Sequence, residues 1–138
     1  MEEKKFILFL HSGAYDKLYQ AIMLATTAAS MGNKVYIFLF FWALRKFVND
    51  KIDEIDFPVD IRDEERLLLE AVPRGSSNML RELLDEVKKM GNLEIYACSG
   101  AVKLMELDED LVMRKVNDII GLPTMLKMAE GAETQLFI

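Results

Sequence analysis

Two stretches near the start of the chain, KFILFL at residues 5–10 and KVYIFLFF at 34–41, are continuous apolar runs without the alternation of a half-exposed strand. Runs of this length, rich in aromatic and β-branched residues, predict strands buried on both faces. Between them Leu18, Ile22, Ala25 and Ala29 recur at helical spacing, with Ser12 available to cap the start and Gly32 to end it. The segment reads as a β-α-β unit, a crossover that is nearly always parallel and right-handed. The rhythm then repeats. Leu80, Leu83, Leu84 and Val87 form a helix stripe behind the cap candidates Ser76 and Ser77, the tripeptide MGN ends it, and LEIYAC at 93–98 is a third buried strand. A short helix near residues 100–106, a turn of helix from Asp108 and a weak strand at VNDII follow. LPTMLKMAEG predicts a last helix with Pro123 in its first turn, and TQLFI a closing strand. The sum is about five strands, mostly parallel, in a three-layer α/β fold.

Residues 50–77 interrupt this pattern. They are rich in acidic side chains, carry two prolines and offer one short helix candidate, around Glu64 to Val72. Such a stretch reads as an insertion, either a solvated surface excursion or a segment flanking a site. Otherwise the 138 residues suit a single domain spanning 1–138, long enough to bury a core without disulfides or metals.

Charge and composition narrow the partners. The net charge is −6 and the basic residues are scattered, which leaves no footprint for nucleic acid or an anionic membrane. The run FILFL before His11 is too short for a signal-peptide core, and VYIFLFFWAL at 35–44 is too short to span a bilayer. A soluble, cytoplasmic protein is the expectation, and a single cysteine excludes an internal disulfide.

In an open parallel sheet, ligands bind outside the carboxyl ends of the strands. The first predicted strand ends at His11, Ser12 and Gly13, the second at Phe41 and Trp42, and the third at Cys98, Ser99 and Gly100, so the one histidine, one tryptophan and one cysteine share an edge. A thiol between a strand end and a helix start faces free backbone N–H groups and the positive end of the helix dipole, which favours the thiolate. The bland alternative is a buried, inert cysteine, since free cysteine is among the most buried residue types. Spacing removes several thiol chemistries. No second cysteine completes a C-x-x-C pair, Leu104 stands where a phosphate-cradling C-x5-R loop needs arginine, and Ile95 stands where peroxidatic sites carry threonine. His11 is a general-base or thiolate-supporting candidate, and Trp42 a pocket-wall candidate, each with a purely structural alternative. Met105, Met113, Met125 and Met128 read as flexible core filling, not metal ligands. No ligand spacing supports a metal site, and HSG lacks the glycine spacing of a dinucleotide fingerprint, so no cofactor is expected.

Three segments carry a family resemblance. LHSGAYDKLYQAIMLATTAASMGNKVYIFLFFWAL, YACSGAVKLMELDEDLV and NDIIGLPTMLKMA resemble successive parts of the DsrE/DsrF-like superfamily, leaving 50–77 as the least matched part. The family's usual acidic residue is replaced by Ala14, and SGAVKLM is only loosely similar to its usual sequence after the cysteine. The resemblance implies a flavodoxin-like domain, a homo-oligomer (trimer or hexamer), and a cysteine that carries sulfane sulfur as a persulfide, which here is Cys98. The expected function is a sulfur carrier or sulfurtransferase that exchanges sulfur with donor and acceptor proteins or small sulfur compounds. Alternatives are a non-catalytic oligomeric binding or assembly subunit, and a single-thiol redox sensor.

Overall fold

The computed structural model describes residues 3–56, 70 and 78–138. In chain order these form β1 (Lys5–Leu10), α1 (Tyr15–Ser30), β2 (Lys34–Leu39), α2 (Phe41–Val48), α3 (Met79–Lys88), β3 (Leu93–Cys98), α4 (Ser99–Leu104), α5 (Glu109–Lys115), β4 (Asp118–Ile120), α6 (Leu122–Met128) and β5 (Thr134–Phe137). The strands make one sheet in the order β4-β3-β2-β1-β5, with every pairing parallel.

Strand order and crossover handedness together place the helices. From β1 to β4 the chain advances across the sheet in one direction, so right-handed connections put α1 to α5 on one face. There Leu10, Ile37, Leu39 and Ile95 of the sheet meet Leu18 and Ile22 of α1, Ala43 and Phe47 of α2, and Leu84 of α3. The connection from β4 to β5 runs back past β1, so α6 lies on the opposite face. The hydrogen bond from Lys5 Nζ to the Met128 carbonyl (3.3 Å) ties its end there. The second face is aromatic. Phe9 lies 5.2 Å from Phe38 and 4.5 Å from Phe137 between ring centroids, and Phe38 lies 6.1 Å from Tyr96.

The apolar runs at 5–10, 34–41 and 93–98 are all strands, but the second is shorter than its run. β2 ends at Leu39, and Phe41 and Trp42 open α2, a helix the pattern does not predict. Phe41 makes this turn at φ +41°, a left-handed conformation that is rare for a bulky side chain. The weak strand is three residues long, and α5 starts where Asp108 accepts from the amides of Asp110 and Leu111.

The main helix caps also differ from the expected ones. α1 begins at Tyr15, and its first amide donates to Asp56 Oδ1 (3.0 Å), while Ser12 Oγ accepts from Ala14 N at 3.3 Å. The amides of Leu80 and Arg81 at the start of α3 donate to the two carboxylate oxygens of Asp53 (2.8 and 3.1 Å). Ser76 and Ser77 lie outside the described residues, as do the insertion's helix candidate and most of residues 50–77. Within the part that is described, Asp50, Asp53 and Asp56 do structural work: Asp56 also pairs with Lys46 (2.7 Å), and Asp50 bridges Lys115 (2.9 Å) and Arg81 (3.3 Å). These three carboxylates connect α1, α2, α3 and α5. Asp53→Ala is expected to cost about 1 kcal/mol, the value of a lost helix cap, read as a lower urea midpoint with unchanged slope.

The hydrogen bonds from Lys115 hold the Asp50 carboxyl below the usual carboxylate range against the opposing effect of burial, and the charges of Lys115 and Arg81 add to the depression. A depressed folded pKa contributes stability that is present above the unfolded value of about 3.9 and is lost as pH falls through the folded pKa. Because Asp50 is half exposed, this contribution is small and screened by salt. The unfolding midpoint should fall less between pH 6 and 3 in Asp50→Asn than in the unchanged chain, and 1 M salt should shrink the difference.

Candidate functional site

The register of the strands draws a row across the carboxyl edge of the sheet. Leu10 pairs with Leu39, Leu39 with Ala97, and Cys98 with Ile120. One residue beyond the first two pairs, His11, Phe40 and Cys98 therefore stand level, and Ile120 completes the row. Side chains alternate along a strand. Cys98 thus shares its face with Tyr96, Phe40 with Phe38, and His11 with Phe9, which is the aromatic face.

Each end of the row is built by local chain geometry. His11 N donates to the Ile138 carbonyl (2.8 Å) and its own carbonyl accepts from Ala43 N (3.1 Å), which locks the end of β1 between β5 and α2. Ser12 N donates to the same Ile138 oxygen at 3.3 Å. Gly13 is required by a close approach, because a Cβ there would sit 2.9 Å from Trp42 Cβ. Trp42 is exposed, and the Arg45 guanidinium lies 5.4 Å over its ring. At the other end Cys98 is 6% exposed and N-caps α4 without a side-chain hydrogen bond, while Ser99 and Gly100 are exposed. Gly121, which leads into α6, lies beside Ser99: a Cβ on it would be 3.8 Å from Ser99 Oγ.

Next to His11 a crevice of about 430 Å³ opens between the sheet edge and α6. Phe9, His11, Phe40, Phe41 and Phe137 form the sheet side, and Leu122, Met125 and Leu126 the helix side. It lies where β1 adjoins both β2 and β5, whose crossovers leave the sheet on opposite faces, and such a switch point is where open α/β sheets bind ligands. The volume is in the range of small-molecule sites. Of the predicted edge residues, His11 and Phe41 line it directly. Cys98 stands one place further along the row with Phe40 between, and Trp42 packs on Gly13 outside the lining.

Sequence reasoning placed Phe41 at the edge but missed Phe40 and Phe137 as wall residues, and it read Met125 as core filling. Met125 is fully buried and lines the crevice as well. No local sequence signal marks these walls, since the left-handed turn at Phe41 that starts α2 shows only in the structure. A second cleft of about 260 Å³ on the other face is lined by Arg81, Lys88, Arg114 and Lys115 with Asp50 and Asp85, and the Asp50 ion pairs already span it.

Away from the edge, Tyr96 donates to Glu94 Oε2 (2.7 Å), and Lys34 pairs with Glu94 Oε1 (3.2 Å). Burial first, and then that hydrogen bond, push the Tyr96 phenol well above its ordinary range, so it remains a donor. Among the described residues no cluster of histidine, cysteine and carboxylates could hold a metal, and no helix is long and apolar enough to cross a membrane.

Comparison with known proteins agrees with this architecture. The chain is 24% identical to the uncharacterized protein YrkE of Bacillus subtilis (strain 168) over 163 aligned positions, covering 99% of this chain and 98% of that one. The crystal structure of the ychN protein from E. coli superposes with a TM-score of 0.60 at 12% identity, covering 99% of this chain and all of that one, and both have the flavodoxin-like three-layer fold. The strand order differs from that of flavodoxin itself, whose switch point lies between β1 and β3. The profile of the DsrE/DsrF/DrsH-like family matches residues 2–64, and this match supports the assignment of the chain to the DsrE/DsrF-like superfamily.

Proposed function

We propose that the chain is a sulfur carrier or sulfurtransferase in which Cys98 holds sulfane sulfur as a persulfide. The observation that carries the reading is the row Cys98–Phe40–His11 on one sheet face at the switch-point edge, beside an open crevice, in a chain assigned to a sulfur-relay type of family. The Cys98 thiolate attacks the sulfane sulfur of a donor and breaks its S–S bond, and the rest of the donor leaves with the electron pair as a thiolate or sulfite. The amides of Ser99 and Gly100 are the nearest donors the anion could recruit, and His11 lines the crevice beside the row. Ser12 and Gly13 hold the turn that carries His11, and Trp42 packs against that turn at Gly13. Donors and acceptors are proteins or small sulfur compounds in the cytoplasm. The test is mass spectrometry of the native protein after exposure to polysulfide, thiosulfate or a persulfide, with an adduct of about 32 Da or its multiples expected on Cys98. A folded sample whose Cys98 stays unmodified with every donor sinks the reading.

A second reading, a homo-oligomeric assembly subunit without sulfur chemistry, draws on the exposed Leu122, Leu126, Phe137 and Trp42 and on the burial of Cys98. It predicts a trimer or hexamer by sedimentation together with an unreactive thiol.

A further inference from the structure

We infer that the switch-point crevice seats a small organic sulfur compound whose body is apolar and whose only ionisable group is the sulfur itself. The inference deepens the sulfur-carrier reading and rests on it, since it names the class of donor.

The lining decides the class. Seven of the eight lining side chains are aromatic or aliphatic, and the eighth is His11; no lysine or arginine is among them. The chain as a whole carries a net charge of −6. A dianionic donor such as thiosulfate, or a peptide persulfide bearing carboxylates, would lose hydration in this crevice and find no fixed cation to replace it. An aryl or alkyl persulfide loses little and gains contact with Phe9, Phe40, Phe137 and Leu126. The crevice is the right size for such a body and its apolar walls supply most of the binding.

The same placement sets the order of the reaction. Phe40 lines the crevice and neighbours Cys98 in the row, so a body resting against Phe40 lies one strand away from the thiol. The Cys98 thiolate attacks the terminal sulfur of R–S–S–H. A new Sγ–S bond forms, the donor S–S bond breaks, and R–S⁻ leaves with the electron pair. The proton that Cys98 gave up on ionising is restored to R–S⁻, so thiol plus persulfide become persulfide plus thiol with no outside oxidant or reductant.

Two measurements test this. The first is binding of benzyl methyl sulfide, an uncharged and unreactive probe, to Cys98→Ser by titration calorimetry or ligand-observed NMR. Saturable binding is expected, weakened at least about tenfold by Leu126→Asp or Leu122→Asp; both positions are exposed, so folding should survive the change, as circular dichroism would confirm. The second is the rate at which intact protein is loaded by benzyl persulfide and by glutathione persulfide at equal concentration. Benzyl persulfide should be about tenfold faster or more, and Leu126→Asp should erase that advantage.

No binding of the probe, or equal loading by the two persulfides, overturns the inference while leaving Cys98 as a sulfur carrier. Probe binding with no loading by either donor overturns the carrier reading and the donor class with it. If Leu126→Asp instead dissociates an oligomer and the probe never binds, the crevice is a contact between copies and the inference is wrong.

Discussion

Native protein should accept sulfur from a persulfide at least about tenfold faster than the same chain unfolded in urea, and Cys98→Ser should accept none. Cys98 is the only cysteine, so loss of the adduct in the serine variant merely identifies the atom. The informative comparison is native against unfolded. A thiol that is 6% exposed and held only for packing reacts more slowly when native than when unfolded, because burial hinders access. A thiol that the fold prepares reacts faster, because the neighbouring crevice concentrates the donor beside it. The two readings therefore differ in the sign of the rate ratio. Cys98→Ala should be run beside Cys98→Ser, since a serine hydroxyl without a partner in this environment costs about 1 kcal/mol or more by itself. A native rate below the unfolded rate would return Cys98 to the core.

The largest stability loss should come from Phe38→Ala, about 3–5 kcal/mol, with a fall in Tm on the order of 10 °C. Phe38 is fully buried at the centre of the aromatic face, and its ring touches the systems of Phe9, Tyr36 and Tyr96. Truncation leaves a void between rings whose positions are fixed by strand pairing, so the walls have little freedom to collapse. Phe137→Ala is the matched control. Its ring stacks on Phe9 at 4.5 Å but is 72% exposed, and its loss should cost about 1 kcal/mol or less. Equal losses at the two positions would mean that the crevice wall is covered in solution.

The strands were legible because burial on both faces writes itself as unbroken apolar runs. The same property hid α2: FLFFWAL stays apolar from strand into helix, and no polar cap marks the change at Phe41. The remote caps were illegible for another reason. Asp56 serves Tyr15 across 41 positions and Asp53 serves Leu80 across 27, so no local window contains both partners. The edge with His11 and Cys98 followed from the carboxyl-end rule. The crevice did not, because its walls come from β1, β2, α6 and β5, and only the strand order shows that the chain's last strand lies against its first.

Among the described residues α6 is the single helix on the aromatic face, and it is seven residues long between Gly121 and the left-handed Gly131. Five described helices, α1 to α5, brace the other face. Local opening is cheapest where the fewest contacts must break, so α6, which faces His11 and Phe40 across the crevice, is expected to open before the braced face. Hydrogen exchange at Met125 and Ala129 would then report a gate's free energy, well below that of unfolding the sheet.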